Sequence, residues 1–354
     1  MLKVHRVSRL LRGYRIAAGT RNVNKLHPRD KNLEKTQTDF KLAKTSVDAG
    51  TQQVSRKANR DKGSLIAILH EKYNPHYERP DRPDLCSVNR FFNSARVRYE
   101  WSAATFLDIP GERLRQKAEE NALTQASRED GSEPAPDDTR GGMRPKKRYG
   151  KTDGIPFELL NGLPEVAFLG RCNAGKSTLL NNITTEFSHV RLQEHAKASK
   201  KAGFTKTINC FNIGGRFRIV DTPGYGGKST QEQGDMTMRY LRERQELKRC
   251  FLLVSAEQGF AATDSQVVDF LTKFGIPFEV IFTKMDKIKD ISQLESVIEE
   301  SGVLELPTLP QMIFLNSETN KRCPKRYGID TLRSLILESC GLEPNVKPSK
   351  IREK

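Results

Sequence analysis

The chain has 354 residues, with 60 Lys and Arg against 44 Asp and Glu, a formal net charge of +16. That length holds one large domain or two ordinary ones, and the charge favours polyanionic partners such as nucleic acid or an acidic membrane surface without specifying a fold. The six cysteines form no CxxC pair and sit at no zinc spacing with histidines, which argues against a zinc module, and no apolar run reaches the roughly 18 residues of a membrane-spanning helix.

Residues 1–29 contain no acidic residue and carry eight Lys or Arg. Placed on a helix, Val4, Val7, Leu10, Leu11 and Tyr14 share one face, with Arg6, Arg9 and Arg12 opposite. An Arg-rich, acid-free amphipathic segment has the composition of a mitochondrial or plastid import segment, and its Arg density with little Ser and Thr favours the mitochondrion, so a matrix location is expected. A basic RNA-binding arm or a membrane-surface helix are the alternatives. Residues 30–84 are polar and charged and are expected to form a basic extension of low order, relieved by a short apolar island at Leu65–Tyr73. Over 85–110, Leu85, Val88, Phe91 and Phe92 are spaced for a helix face, and Val97, Tyr99 and Trp101 alternate as in a first strand. Residues 111–155 read as an insertion or linker, rich in Gly, Pro and charge from Ser127 to Gly154.

From Pro164 the texture changes. Apolar runs at Val166–Leu169, Phe217–Val220, Phe251–Val254, Phe278–Phe282 and Met312–Leu315 alternate with helix-like stretches at Ser177–Ile183, Met236–Lys248, Asp264–Phe274, Gln293–Glu300 and Ile329–Ser339. This alternation predicts an α/β fold over 156–342, a mainly parallel sheet flanked by helices, followed by a basic tail at 343–354. Such sheets place ligands in the loops beyond the carboxyl ends of their strands.

Three motifs fall in those loops. Gly170-Arg171-Cys172-Asn173-Ala174-Gly175-Lys176-Ser177 fits G-x4-G-K-[ST] between a strand and a helix. Its backbone amides and the helix N-terminus suit phosphate oxygens, Lys176 the β- and γ-phosphates, and the Ser177 hydroxyl a Mg²⁺ ion. Asp221-Thr222-Pro223-Gly224 ends the next apolar strand, with Asp221 placed for Mg²⁺ and the Gly224 amide for the γ-phosphate. Between them, Thr205 is the candidate to complete the Mg²⁺ shell when the γ-phosphate is present, with Thr207 as the alternative. Thr283-Lys284-Met285-Asp286 follows a later strand. The Asp286 carboxylate can accept from guanine N1–H and the exocyclic amino group, a donor pair that adenine lacks. The Lys284 stem can lie over the base. Asn316, Ser317 and Glu318 form a fourth element that can touch the base through its backbone.

These residues resemble the TRAFAC class of P-loop GTPases and, more narrowly, the EngB (YihA/YsxC) family, a branch related to Era and TrmE. The match runs through GRCNAGKSTLLNNI at 170–183, KASKKAGFTKTINCFNI at 197–213, DTPGYG at 221–226, a lone Asp264 ahead of a helix, TKMDK at 283–287 and GIDTLR at 328–333. The resemblance implies a six-stranded G domain and slow hydrolysis of GTP to GDP. It also implies a role in assembling the large ribosomal subunit, here in mitochondria, with ribosomal RNA or a large-subunit precursor as partner. A monomer is expected. Lys176, Thr205 and Gly224 are the candidate catalytic residues. Tyr225 stands where Ras-like proteins carry a water-orienting glutamine, and Asn173 where related GTPases coordinate K⁺, so K⁺ stimulation is expected. Ser255 and Asn316 depart from the family's usual residues. A GTP-binding RNA-associated scaffold with negligible turnover and a P-loop small-molecule kinase are the rival readings.

Overall fold

The computed structural model describes residues 62–129, 160, 162–187, 189, 192–196, 205–226, 229–288, 290–319, 323 and 325–349. The import-segment reading of 1–29 and nearly all of the linker reading of 127–154 lie outside the described residues. Seven strands form one sheet in the order β1-β3-β4-β2-β5-β6-β7: β1 (Val97–Ala103), β2 (Glu165–Gly170), β3 (Ile208–Ile213), β4 (Phe217–Asp221), β5 (Leu247–Ser255), β6 (Phe278–Thr283) and β7 (Met312–Phe314). β2, β4, β5, β6 and β7 run parallel, while β3 is antiparallel to both β1 and β4. Every residue of β2 is buried, as a central strand covered on both faces requires.

Among the described residues eight helices flank the sheet: α1 (Lys62–Tyr73), α2 (Arg82–Ser94), α3 (Glu112–Glu129), α4 (Lys176–Ile183), α5 (Gln231–Glu243), α6 (Ala262–Lys273), α7 (Ile291–Glu300) and α8 (Ile329–Ser339). Two apolar cores result. One gathers Leu65, Trp101, Tyr240, Leu252, Leu271, Phe282 and Ile298. The other gathers Phe91, Phe168, Leu180, Phe217, Leu332 and Ile336.

The structure differs from the expectation in four places. The sheet has one strand more than six, because INCFNI at 208–213 is β3. Asn209 and Asn212 interrupt its apolar texture, yet Asn212 is satisfied by Glu100 Oε1 at 2.7 Å and by the Gly215 amide at 2.7 Å. Helix α5 begins five residues before the expected Met236. Thr230 caps it: the Gln233 amide donates to Thr230 Oγ1 at 3.3 Å and the Thr230 amide to Gln233 Oε1 at 3.2 Å. The expectation of low order over 30–84 fails from residue 62 onward, since α1 buries Leu65 and Leu69 in the first core. Finally, the tail is docked through 349: the Ser349 amide donates to Gly214 O at 2.7 Å, and Val346 packs on the second core.

Away from the candidate site, a buried ion cluster ties β1, β2, β4, α3 and α5 together. Glu165, fully buried, accepts from Arg244 Nη2 at 2.6 Å and from the Tyr240 hydroxyl at 3.0 Å, with Arg218 Nη1 at 3.6 Å. Arg218 also pairs with Glu100 at 2.6 Å, and Arg244 with Glu112 at 2.5 Å. Removing Glu165 leaves two guanidiniums without its carboxylate in a dry interior. Glu165→Ala is therefore expected to cost about 3–5 kcal/mol of stability, read as a lowered urea midpoint.

Candidate functional site

Four loops leave the carboxyl ends of β2, β4, β6 and β7 on one side of the sheet, and the motif residues lie in them. The first loop opens α4 at Lys176. Asn173 holds a left-handed conformation at φ 65°. Lys176, only 7% exposed, donates from Nζ to Gly170 O at 2.8 Å and Arg171 O at 3.2 Å. Its ammonium is thus curled over the loop. Burial lowers its pKa, with Asp221 opposing, so an anion in the loop would meet a poorly solvated cation.

The second loop is stitched to the first. The Cys172 amide donates to Tyr225 O at 3.0 Å, and the Tyr225 amide to Gly170 O at 3.4 Å. A Cβ at Gly224 would lie 2.9 Å from Cys172 Cα and 3.0 Å from Lys176 Nζ, so only glycine fits this approach. Thr222 is fully buried, and its hydroxyl donates inward to Phe168 O at 2.7 Å.

Ser177 Oγ donates to Asp221 Oδ2 at 2.8 Å. Asp221 Oδ1 is buried without a hydrogen-bond partner among the described residues. Burial raises the Asp221 pKa, against the pull of Lys176 and Ser177. A buried carboxylate oxygen with no donor, beside a hydroxyl, is a fitting donor set for a hard divalent cation. Thr205 lies half-buried before β3, and residues 197–204 ahead of it fall outside the described residues. The Thr207 hydroxyl is engaged on the β1 side, accepting from Ser102 Oγ at 2.7 Å and donating to Asn209 Oδ1 at 3.3 Å.

The third loop is locked to the first by two bonds. Thr283 Oγ1 donates to Ala174 O at 2.8 Å, and Lys284 Nζ to Asn173 O at 2.8 Å. Lys284 itself is left-handed at φ 59°, which turns the chain sharply into the Met285–Lys287 turn carrying half-buried Asp286. In the fourth loop Asn316 is fully buried. Its side chain donates to Glu318 O at 3.0 Å and Lys325 O at 2.9 Å and accepts from the Tyr327 amide at 2.9 Å. It therefore shapes its own loop, and only the backbone there, with half-buried Ser317 and exposed Glu318, is left to face a ligand. Asn182 of α4 donates to Ser317 O at 3.2 Å, so this loop too is tied to the first.

Some contacts among the site residues were not legible in advance. Arg171 Nε pairs with Asp264 Oδ2 at 3.0 Å, and the Tyr225 hydroxyl donates to Asp264 Oδ1 at 2.7 Å. Asp264 also accepts from the Ala261 amide at 2.8 Å, capping α6. One carboxylate thus joins the first loop, the second loop and a helix start. Burial first, then Asp264, raises the Tyr225 pKa and keeps its hydroxyl protonated. The signal for the cap was an acid at the third position of α6; nothing local named its other two partners.

Comparison with known proteins agrees with this geometry. A family model described as a 50S ribosome-binding GTPase matches residues 165–284. MIOREX complex component 8 of Saccharomyces cerevisiae is 44% identical over 274 residues, 77% of this chain and 79% of its own length. Two bacterial proteins described as "Probable GTP-binding protein EngB" also match. That of Gluconobacter oxydans is 35% identical over 49% of this chain and 75% of its own length, and that of Pelotomaculum thermopropionicum 36% identical over 45% and 80%.

Proposed function

This chain belongs to the EngB family of GTP-binding proteins and hydrolyses GTP, and from that premise we propose that it serves as a guanine-nucleotide switch in assembly of the large subunit of the mitochondrial ribosome. The ribosomal reading is supported by the family description, which names 50S binding, and by the net charge of +16, which suits an RNA partner. The mitochondrial reading is supported by the acid-free, Arg-rich residues 1–29 and by the extensive similarity to a component of the yeast MIOREX complex.

One observation carries the site assignment: four loops from four parallel strands are cross-bonded around a buried lysine and a buried aspartate bonded to half-buried Ser177. The amides of 170–177 and Lys176 hold the polyphosphate, with Thr222 and Pro223 shaping the loop that presents the Gly224 amide. Ser177, Asp221 and Thr205 hold Mg²⁺, which when bound neutralises charge on the phosphate oxygens. Asp286 reads the base, the Lys284 stem covers it, and the 316–318 backbone closes its edge.

Tyr225 rather than a glutamine follows Gly224, and its hydroxyl is committed to Asp264. Positioning of water falls to the Gly224 and Thr205 region and to a monovalent cation beside exposed Asn173. GTP turnover is accordingly expected to be several-fold faster in K⁺ than in Na⁺ buffer, and Asn173→Ala to erase the difference. Equal rates in both salts would remove the cation from the account. The cellular role is tested by sedimenting mitochondrial lysate with a non-hydrolysable GTP analogue. Co-migration with a large-subunit precursor is expected, and migration only as free protein would contradict the role.

A further inference from the structure

Helix α1 lies outside every nucleotide motif, yet it packs against β7 and against the Met285–Lys287 turn that carries Asp286. Three contacts define the docking. Leu65 and Leu69 are buried in the core that also holds Met285, Phe282 and Phe314. Tyr73 meets Phe314 at 6.0 Å between ring centroids, and Phe314 stacks on Phe282 at 5.3 Å.

Just after α1, Asn74 binds the backbone of β7 from its edge. Its Nδ2 donates to Met312 O at 2.8 Å and its Oδ1 accepts from the Met312 amide at 2.7 Å. One side-chain amide thus takes the place of a neighbouring strand at an edge that would otherwise be unpaired. At the other end of α1, Gly63 lies flat on Tyr327. A Cβ there would come within 2.6 Å of the ring carbon Cε1. Tyr327 in turn sets the fourth loop: its amide donates to Asn316 Oδ1 at 2.9 Å and its carbonyl accepts from the Asn316 amide at 3.3 Å. The Met285 amide donates to Leu315 O at 3.2 Å, which couples the third and fourth loops directly.

We propose that α1 and Asn74 are positioning elements of the guanine site, holding the Asp286 turn and the 316–318 loop at the separation that a guanine requires. The inference rests on the reading of Asp286 as the base reader. The physical argument is one of preorganisation. A donor–acceptor pair to the base discriminates only if its loops are held before the ligand arrives. The third loop is braced to the first through Thr283 and Lys284, and the fourth to α4 through Asn182; α1 braces both from the other side. Loosening the α1 brace leaves the phosphate grip untouched, because none of its residues touches the 170–177 loop in the bonds above.

The test uses the full chain carrying Gly63→Leu or Asn74→Asp, which attack the two ends of the docking separately. Leu241→Ala on α5, buried on a helix that packs against the Phe106–Asp108 turn, serves as a control for loss of stability alone. The readouts are the dissociation rates of GDP and of IDP, which lacks the exocyclic amino group, alongside Tm. For both α1 variants GDP release should quicken by about tenfold and the GDP-over-IDP preference should shrink by a similar factor, about 1.4 kcal/mol. The control should lower Tm and keep the preference. If either folded α1 variant keeps the wild-type preference within about twofold, the proposal is overturned. If the unmodified chain itself shows no preference for GDP over IDP, the base-reader reading falls instead. Should Gly63→Leu not fold, Asn74→Asp decides the matter alone.

Discussion

Replacing Lys176 with alanine is expected to lower GTP affinity by roughly 10²–10³-fold, as measured by titration of the purified protein in Mg²⁺ buffer. Charge-assisted bonds contribute about 1.5–3 kcal/mol each, and this ammonium is placed to make one to each of two phosphates. Its setting strengthens the effect. Lys176 is almost wholly buried, donates to Gly170 O and Arg171 O, and lies beside the closest approach of Gly224. Deletion therefore removes the charge and also one donor from each of two loop carbonyls. Arginine should not restore binding, because the planar guanidinium is too large for a space in which a single Cβ at Gly224 would already reach 3.0 Å from Nζ. Retained affinity in the alanine variant would overturn the phosphate-site assignment.

The second large effect concerns base choice. Asp286→Asn is expected to reduce the preference for GTP over ATP by roughly 10²-fold or more. On the proposed reading the carboxylate would accept two hydrogen bonds from guanine, whereas a carboxamide presents one acceptor and one donor group. The same chemistry predicts a gain. Xanthine carries a carbonyl where guanine has its amino group, so the variant's donor finds a partner and XTP affinity should rise. Competition of XTP, GTP and ATP for the variant measures both changes. An unaltered rank order would place the base elsewhere. Lys284 Nζ donates to Asn173 O, so Lys284→Ala should weaken binding of all three nucleotides with little change in their rank.

The parts of this site that were readable from the sequence are those in which spacing is local and chemistry is specific. G-x4-G-K-S between an apolar run and a helical one, an acid closing the next such run, and T-K-x-D after a later one each announce themselves within about ten residues. The parts that stayed hidden depend on distant partners. Leu65–Tyr73 read as an apolar island because its burying surfaces, Phe314 and Met285, lie far along the chain. The strand β3 was concealed by Asn209 and Asn212, whose polar groups are satisfied across the sheet by residues such as Glu100. Asp264 could be seen as a cap for α6, but not as the ion partner of Arg171 and the acceptor for Tyr225. The early start of α5 is carried by the capping pair Thr230-x-x-Gln233, which apolar spacing beginning at Met236 does not reveal.

Arg333 illustrates the same limit. The sequence places it in an ordinary amphipathic helix. In the fold it is fully buried and donates to Ile183 O at 3.0 and 2.8 Å and to Thr185 O at 2.8 Å, closing the C-terminus of the helix that Lys176 opens. A cation there complements the negative end of α4. The helix that opens at Lys176 is thereby held at its C-terminus by a side chain from α8.

Calorimetric titration of the purified full chain with GDP, GTP and ATP, with and without Mg²⁺, addresses the central claim most directly. The account predicts binding of both guanine nucleotides, tighter GTP binding when Mg²⁺ is present, and ATP weaker by at least about 10²-fold. Heats absent for GDP and GTP in Mg²⁺ buffer, or an equal response to ATP, would contradict it.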